Sequence, residues 1–123
     1  MNSAMLINWE QLSLVVGDEL NPADEEMKDL FRLFVDDAGR RLAALGSTSA
    51  PFDRTVIAKE AHKIRGAASS FGFEQMAGLL RDVEMQAPSV AQPHLEALVR
   101  EANALFEQSV REVRDRYPGL TAS

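Results

Sequence analysis

The sequence predicts an all-α fold: an up-down-up-down four-helix bundle with a short additional helix at the N-terminus. Three observations predict it. Apolar residues recur at helical spacing through four long segments, and no period-two run extends beyond a few residues. Turn chemistry sits between those segments, at Gly17, Gly46, Gly72, Pro88 and the Pro118–Gly119 pair. The connections are short, which makes sequential helices antiparallel neighbours. At 123 residues, 46% of them apolar, the chain can bury a real core and is expected to form one domain, residues 1–123. The helical core spans about residues 6–117.

The first helix is expected from about Trp9 to Val16. Asn8 is its N-cap, Gln11 sits at the capping-box position and Gly17 stops it. The second begins near Pro22 or Ala23. Asp24, Glu25 and Glu26 in its first turn suit the positive end of the helix macrodipole. Met27, Phe31, Phe34, Ala38, Leu42 and Leu45 share one stripe, and Gly46 follows as the C′ residue. Leu33 lies roughly 120° off that stripe. It is either covered by the first helix, which is favoured, or part of a partner patch.

Gly46 to Ala50 reads as a loop. The third helix begins near Pro51 or Phe52 and runs to about Phe71, where Gly72 ends it. Its stripe is Ile57, Ala61, Ile64, Ala68 and Phe71. The fourth runs from about Glu74 to Gln86, with Met76, Leu79, Leu80 and Val83 on one face, and stops before Pro88. The fifth begins between Ser89 and Pro93 and continues to about Tyr117. It carries Leu95, Leu98, Val99, Ala102, Phe106, Val113 and Tyr117 on one face. Pro118 and Gly119 close it, and Leu120 to Ser123 are expected to fray.

Composition excludes several classes. There is no cysteine, so there is no disulfide framework, iron–sulfur cluster or thiol catalysis. A formal net charge of −6 argues against general nucleic-acid binding, which needs a basic surface. No apolar run approaches the roughly 18 residues of a membrane span, and the N-terminus lacks the pattern of a signal peptide. These features point to the cytoplasm. No G-x-x-x-x-G-K-[S/T] loop or glycine-rich lid is present, so no nucleotide site is expected. Two histidines roughly 30 residues apart, without cysteine or H-x-x-x-H spacing, do not suggest a metal site.

The third helix carries the most informative run, A-H-K-I-R-G-A-A-S-S-F-G-F from Ala61 to Phe73. His62 lies roughly 140° from the centre of its helix's apolar stripe, so it points outward. Ala58, Lys59, Arg65, Gly66 and Ser69 lie within roughly 60° of it, and Lys63 lies at about 100°. Gly66 is unusual, because glycine costs roughly 1 kcal/mol against alanine inside a helix. Access to the imidazole is the simplest reason for it.

Such a patch suits carriage of a phosphoryl group on nitrogen. Imidazole offers a neutral nucleophile near physiological pH. Arg65 and Lys59 can meet the charge on the phosphoryl oxygens, and Ser69 can donate a hydrogen bond to one. Lys59 is equally readable as a solvated charge, and Ser69 and Ser70 as helix-terminal hydroxyls bonded to backbone. Gly66 clears space for the phosphoryl and an incoming loop. His94 has no comparable setting and reads as a surface residue.

The run resembles the signature of histidine-containing phosphotransfer (HPt) domains, H-x-x-[K/R]-G with a second glycine ten residues after the histidine: His62, Arg65, Gly66 and Gly72. The opening I-N-W-E-Q-L, then G-D, then M-K-D-L-F-R-L-F-V-D-D, is similar to the family's first two helices. The resemblance implies that His62 accepts the phosphoryl group. It implies that Arg65, where lysine is commoner, stabilises the phosphoryl oxygens and that Gly66 gives clearance. The partners implied are receiver domains of a hybrid histidine kinase and of a response regulator, with no nucleic acid and no membrane. Docking is expected over Ala58, Lys63 and Gly72. The chain would be a monomeric phosphocarrier rather than an enzyme, without cofactor, any Mg²⁺ belonging to the receiver. The alternative is a non-phosphorylated helical module that only docks receivers. A hydrolytic phosphatase would need a carboxylate or amide beside His62, and Glu60 points away at roughly 160°.

Overall fold

The computed structural model of the protein describes residues 5–17, 25–46 and 53–121. Six helices form along them: α1 (Trp9–Val16), α2 (Glu25–Leu45), α3 (Arg54–Ser70), α4 (Glu74–Gln86), α5 (Gln92–Arg116) and α6 (Pro118–Thr121). None of the described residues lies in a β-strand. The long helices α2 to α5 make the bundle. Each packs on the two beside it: α2 on α3 and α5, and α4 on α3 and α5. The expected start of α2 near Pro22 or Ala23 lies outside the described residues.

Local chemistry sets the ends. Asn8 caps α1, its side chain accepting from the Gln11 backbone N–H at 3.1 Å. The third helix starts later than the sequence pattern suggests, at Arg54 rather than near Pro51 or Phe52. The reason is Asp53, whose carboxylate accepts from the backbone N–H groups of Thr55 and Val56 at 2.9 and 3.2 Å. A side-chain acceptor there satisfies donors that no helical carbonyl can reach.

The end of α3 is a sharp stop. Gly72 has φ +77°, the left-handed region that glycine adopts without strain. The Phe73 N–H bonds back to the Ala68 carbonyl at 2.8 Å, and the Gly72 N–H to Ser69 at 3.1 Å. Together these are a Schellman stop. The chain then re-enters a helix at once, and α4 returns antiparallel to α3.

Five phenylalanines lock this corner. Phe34 stacks on Phe71 at 4.8 Å between ring centroids and meets Phe73 edge-on at 5.1 Å. Phe31 and Phe106 complete the cluster. Phe73 is fully buried, yet it lies on no periodic stripe, because it sits in the turn and not on a helix face. Truncating one such ring costs about 3–5 kcal/mol.

Cross-links fix the register of the helices. Between α2 and α3, Arg41 reaches Asp37 at 2.8 Å and Glu60 at 2.7 Å. These hydrogen bonds, that to Asp37 first, push the Arg41 guanidinium pKa above its ordinary value. The pairs are solvent-accessible, so they orient the helices more than they stabilise them. Between α2 and α5, Asn103 donates to the Leu42 carbonyl at 3.0 Å. Between α3 and α4, Arg54 donates to the Ala87 carbonyl at 2.8 Å.

The expected stripes supply most of the buried core, with Met27, Leu45, Phe71, Leu79, Leu98 and Tyr117 half-buried at its edges, and there are additions. Leu105, Ser109 and Val110 widen the buried arc of α5 where α2 and α6 both crowd it. The buried Ser109 hydroxyl is satisfied by the Leu105 carbonyl at 2.8 Å. The end of the chain also differs from expectation. Leu120 is buried, and its carbonyl accepts from Arg32 Nε at 3.0 Å. Leu120 and Thr121 therefore form part of α6 instead of fraying. Leu33 is 60% exposed, so α1 does not cover it.

The first helix lies over the α3–α4 corner instead. The Asn8 N–H donates to the Gly72 carbonyl at 2.7 Å, and Gln11 Nε2 donates to the Ser70 carbonyl at 3.0 Å. Trp9 packs on Tyr117 with centroids 6.2 Å apart, and Arg116 lies 4.7 Å over the indole. A Cβ on Gly72 would stand 2.6 Å from the Asn8 carbonyl oxygen. Gly72→Ala is therefore expected to destabilise the fold by about 1–3 kcal/mol. A Cβ on Gly78 of α4 meets nothing within 4 Å, so Gly78→Ala should stabilise by up to about 1 kcal/mol. Urea unfolding of the two variants checks both signs.

Candidate functional site

The site grows from the amphipathic split of α3. Ile57, Ala61, Ile64 and Ala68 fill the core, which turns the remaining positions outward. His62 points to solvent, its side chain 61% exposed. Beside it in α3 stand Ala58, half-buried, and Lys59, Lys63, Gly66 and Ser69, all exposed. A Cβ on Gly66 would meet nothing within 4 Å, so the space above it is open.

A residue that the sequence reading missed completes the site. Glu84 comes from α4, and its Oε2 lies 2.9 Å from His62 Nδ1. Its other oxygen, Oε1, lies 3.3 Å from Arg65 Nη2. A carboxylate therefore does stand beside the imidazole, supplied across the helix interface and not by Glu60. Glu60 bonds to Arg41 on the far side of α3. Both Glu84 oxygens are engaged, one by the ring and one by Arg65, so the carboxylate is not presented to a water as a hydrolytic base.

The geometry assigns the tautomer. An ionised carboxylate only accepts, so Nδ1 at 2.9 Å must carry the proton. The opposite assignment would face two lone pairs at that distance. Arg65 Nη2 also lies 3.2 Å from Nδ1. With the proton on Nδ1 that contact is an approach of two donors that share Glu84, not a bond between them. In the neutral ring this leaves the lone pair on Nε2, which no described group bonds.

A signal for Glu84 existed. Gly72 turns the chain back sharply, with His62 ten residues before it and Glu84 twelve after it. In an antiparallel pair these positions come level. Glu84 is also beside Val83 at the edge of the α4 core face, which turns it toward α3.

The other expected residues are placed as follows. Lys59 makes no ion pair with any described residue. Lys63 has Glu60 at 3.9 Å. Ser70, not Ser69, shows the backbone bonding weighed for both, its hydroxyl donating to the Gly66 carbonyl at 3.2 Å. His94 is exposed, with Nε2 3.2 Å from Gln86 Oε1. Gly72 departs from expectation. It is buried under α1, so it belongs to the frame and not to a docking surface.

A family model described as the Hpt domain matches residues 29–115. The chain belongs to the Hpt domain family. The match covers α2 from Asp29 onward, all of α3 and α4, and nearly all of α5. The all-helical bundle agrees with an Hpt fold carrying a short N-terminal helix. Histidine phosphotransfer in phosphorelays is the general role of Hpt domains, which are phosphocarriers and interact with receiver domains. No curated protein and no solved structure matches the chain significantly. In this Hpt domain α1 and α6 lie outside the matched span, and α1 packs through Trp9 on Tyr117 and Arg116 at the C-terminal end of α5.

The Hpt site generates a prediction at Glu84. Without its carboxylate the imidazole loses the acceptor that selects one tautomer. Glu84→Ala should mix the two neutral forms of His62, read as converging Nδ1 and Nε2 resonances in ¹⁵N NMR. Wild-type resonances in the variant would show that Glu84 does not select the tautomer.

Proposed function

We propose that this Hpt domain is a phosphocarrier in a multistep phosphorelay, accepting a phosphoryl group on His62 from a receiver-domain aspartate and passing it to a second receiver. The observation that carries this is the solvent-facing imidazole with Nδ1 held by Glu84 and Nε2 free, 2.9 Å separating Nδ1 from the carboxylate. The Nε2 lone pair attacks phosphorus, the P–O bond to the aspartyl carboxylate breaks, and that carboxylate leaves with the electron pair. The ring keeps its Nδ1 proton and becomes positively charged, facing Glu84. Transfer onward reverses the step, and the charged ring is the better leaving group for it.

The catalytic groups otherwise belong to the receiver, including any Mg²⁺, and the chain itself requires no cofactor. It acts as a monomer in the cytoplasm. No helix among the described residues is long and apolar enough to cross a membrane. Partners dock around Ala58, Lys63, Gly66 and Ser69. Open space at Gly66 supports this, since a receiver must bring its aspartate in line with Nε2.

Acid-labile, base-stable label on the chain after mixing with a phosphorylated receiver tests the proposal. His62→Gln should abolish that label while changing stability by less than about 0.5 kcal/mol, as exposed substitutions do. Uptake by the Gln variant at the wild-type rate would assign the acceptor elsewhere. Absence of label on a wild-type chain that binds receivers would favour the non-phosphorylated docking module. Gly66→Ala should raise stability by up to about 1 kcal/mol. Gly66→Leu should slow transfer sharply and leave the fold intact, and a Leu variant with normal transfer would remove the case for clearance.

Ala58→Glu places bulk and negative charge one turn from His62. It should weaken binding to the acidic receiver site in both directions of transfer. Lys28→Glu is the control, on α2 beside Glu25. Equal loss of affinity in both variants would displace the docking surface from α3.

A further inference from the structure

The family resemblance would set Arg65 against the phosphoryl oxygens, but its observed position is on the other edge of the ring. Arg65 Nη2 lies 3.3 Å from Glu84 Oε1 and 3.2 Å from His62 Nδ1. The phosphoryl group forms on Nε2, which points away from that edge. We propose that Arg65 is a positioning residue, fixing the Glu84 carboxylate and through it the imidazole, and that the cation meeting the phosphoryl group is Lys59. This assignment rests on His62 being the acceptor.

Three features carry it. The Arg65 and Glu84 side chains are only 32% and 29% exposed, so their attraction is partly shielded from water and competes with a phosphoryl for the guanidinium. Side chains on a helix lean toward its N-terminus. Arg65 accordingly returns to the level of His62, and His62 leans over the turn that holds Ala58 and Lys59. Lys59 is also the exposed cation of that turn with no ion pair to any described residue, whereas Lys63 has Glu60.

The chemistry of the two cations fits the division. A guanidinium is a rigid planar fork suited to holding a carboxylate. An ammonium on a flexible stem is a mobile point charge, suited to following a phosphoryl group as it passes between Nε2 and an aspartate.

A double-mutant cycle with two readouts tests this. Arg65→Ala, Glu84→Ala, their combination and Lys59→Ala are compared with wild type. One readout is the ¹⁵N resonances of the His62 ring in the unphosphorylated protein. The other is the rate of transfer from a phosphorylated receiver. Arg65→Ala should move the ring resonances toward mixed tautomers and slow transfer about 10-fold. In the Glu84→Ala background it should change neither readout further. Arg65→Lys should restore the resonances only in part. Lys59→Ala should leave the resonances at wild-type positions and slow transfer by a similar factor in either background.

The assignment is overturned if Arg65→Ala leaves the ring resonances unchanged yet slows transfer equally with and without Glu84, which is the behaviour of a direct phosphoryl ligand. Wild-type transfer by Lys59→Ala overturns the second half. If wild type takes no label while the resonances show the Arg65–Glu84 coupling, the phosphocarrier function fails and the positioning role stands.

Discussion

The turn at Gly72 is the constraint on which the site depends. A left-handed residue at φ +77° between two buried or half-buried phenylalanines fixes where α3 stops and where α4 starts. Phe71 and Phe73 then both dock on Phe34, which anchors the corner to α2. Once the corner is fixed, the register of α3 against α4 is fixed, since both are rigid helices with a rise of about 1.5 Å per residue. That register brings Glu84 level with His62. An insertion of one residue at the turn would rotate α4 by about 100° relative to α3 and withdraw the carboxylate from the ring.

The first helix belongs to the same constraint. Gly72 has no side chain, so Asn8 can approach its carbonyl at 2.7 Å. Trp9 then reaches Tyr117 at the far end of α5. The clamp joins α1 to the C-terminal end of α5, and it leaves the His62 face uncovered. Glycine thus does opposite things within one helical segment: Gly72 permits contact inside the protein, and Gly66 withholds it outside. Periodicity separates the two as a helix stop and an outward clearance, but the close approach of Asn8 to Gly72 depends on α1 folding over the corner.

The parts that were legible in the sequence are those governed by one helix at a time. The outward angle of His62, the buried stripes of α2 to α5 and the Asn8 cap follow from periodicity and local hydrogen bonding, and the Hpt resemblance follows from the same run of residues. The parts that were not legible need two elements at once. Phe73 is buried because α2 and α5 surround a turn, Leu120 because α6 packs against α5 and α2, and Glu84 matters because a second helix carries it. The late start of α3 is a local feature that was still missed. Asp53 competes with Pro51 as the helix start, and its bonds to Thr55 and Val56 decide the competition.

The two edges of the imidazole divide the chemistry. The Nδ1 edge faces the protein, where Glu84 holds a proton in place and Arg65 holds Glu84. The Nε2 edge faces open space, with no side chain at Gly66 to obstruct it. A carrier must take a phosphoryl group and give it up again, so neither state can be stabilised far beyond the other. A carboxylate on the inner edge favours the charged ring that attack at Nε2 produces, and that same charge makes the ring a good leaving group. A strong, rigid cation on the outer edge would act on the bound phosphoryl alone and retain it. On the proposed assignment, a guanidinium turned inward onto Glu84 leaves mobile ammonium groups at the outer edge, which would hold the phosphoryl group less firmly than a fixed fork.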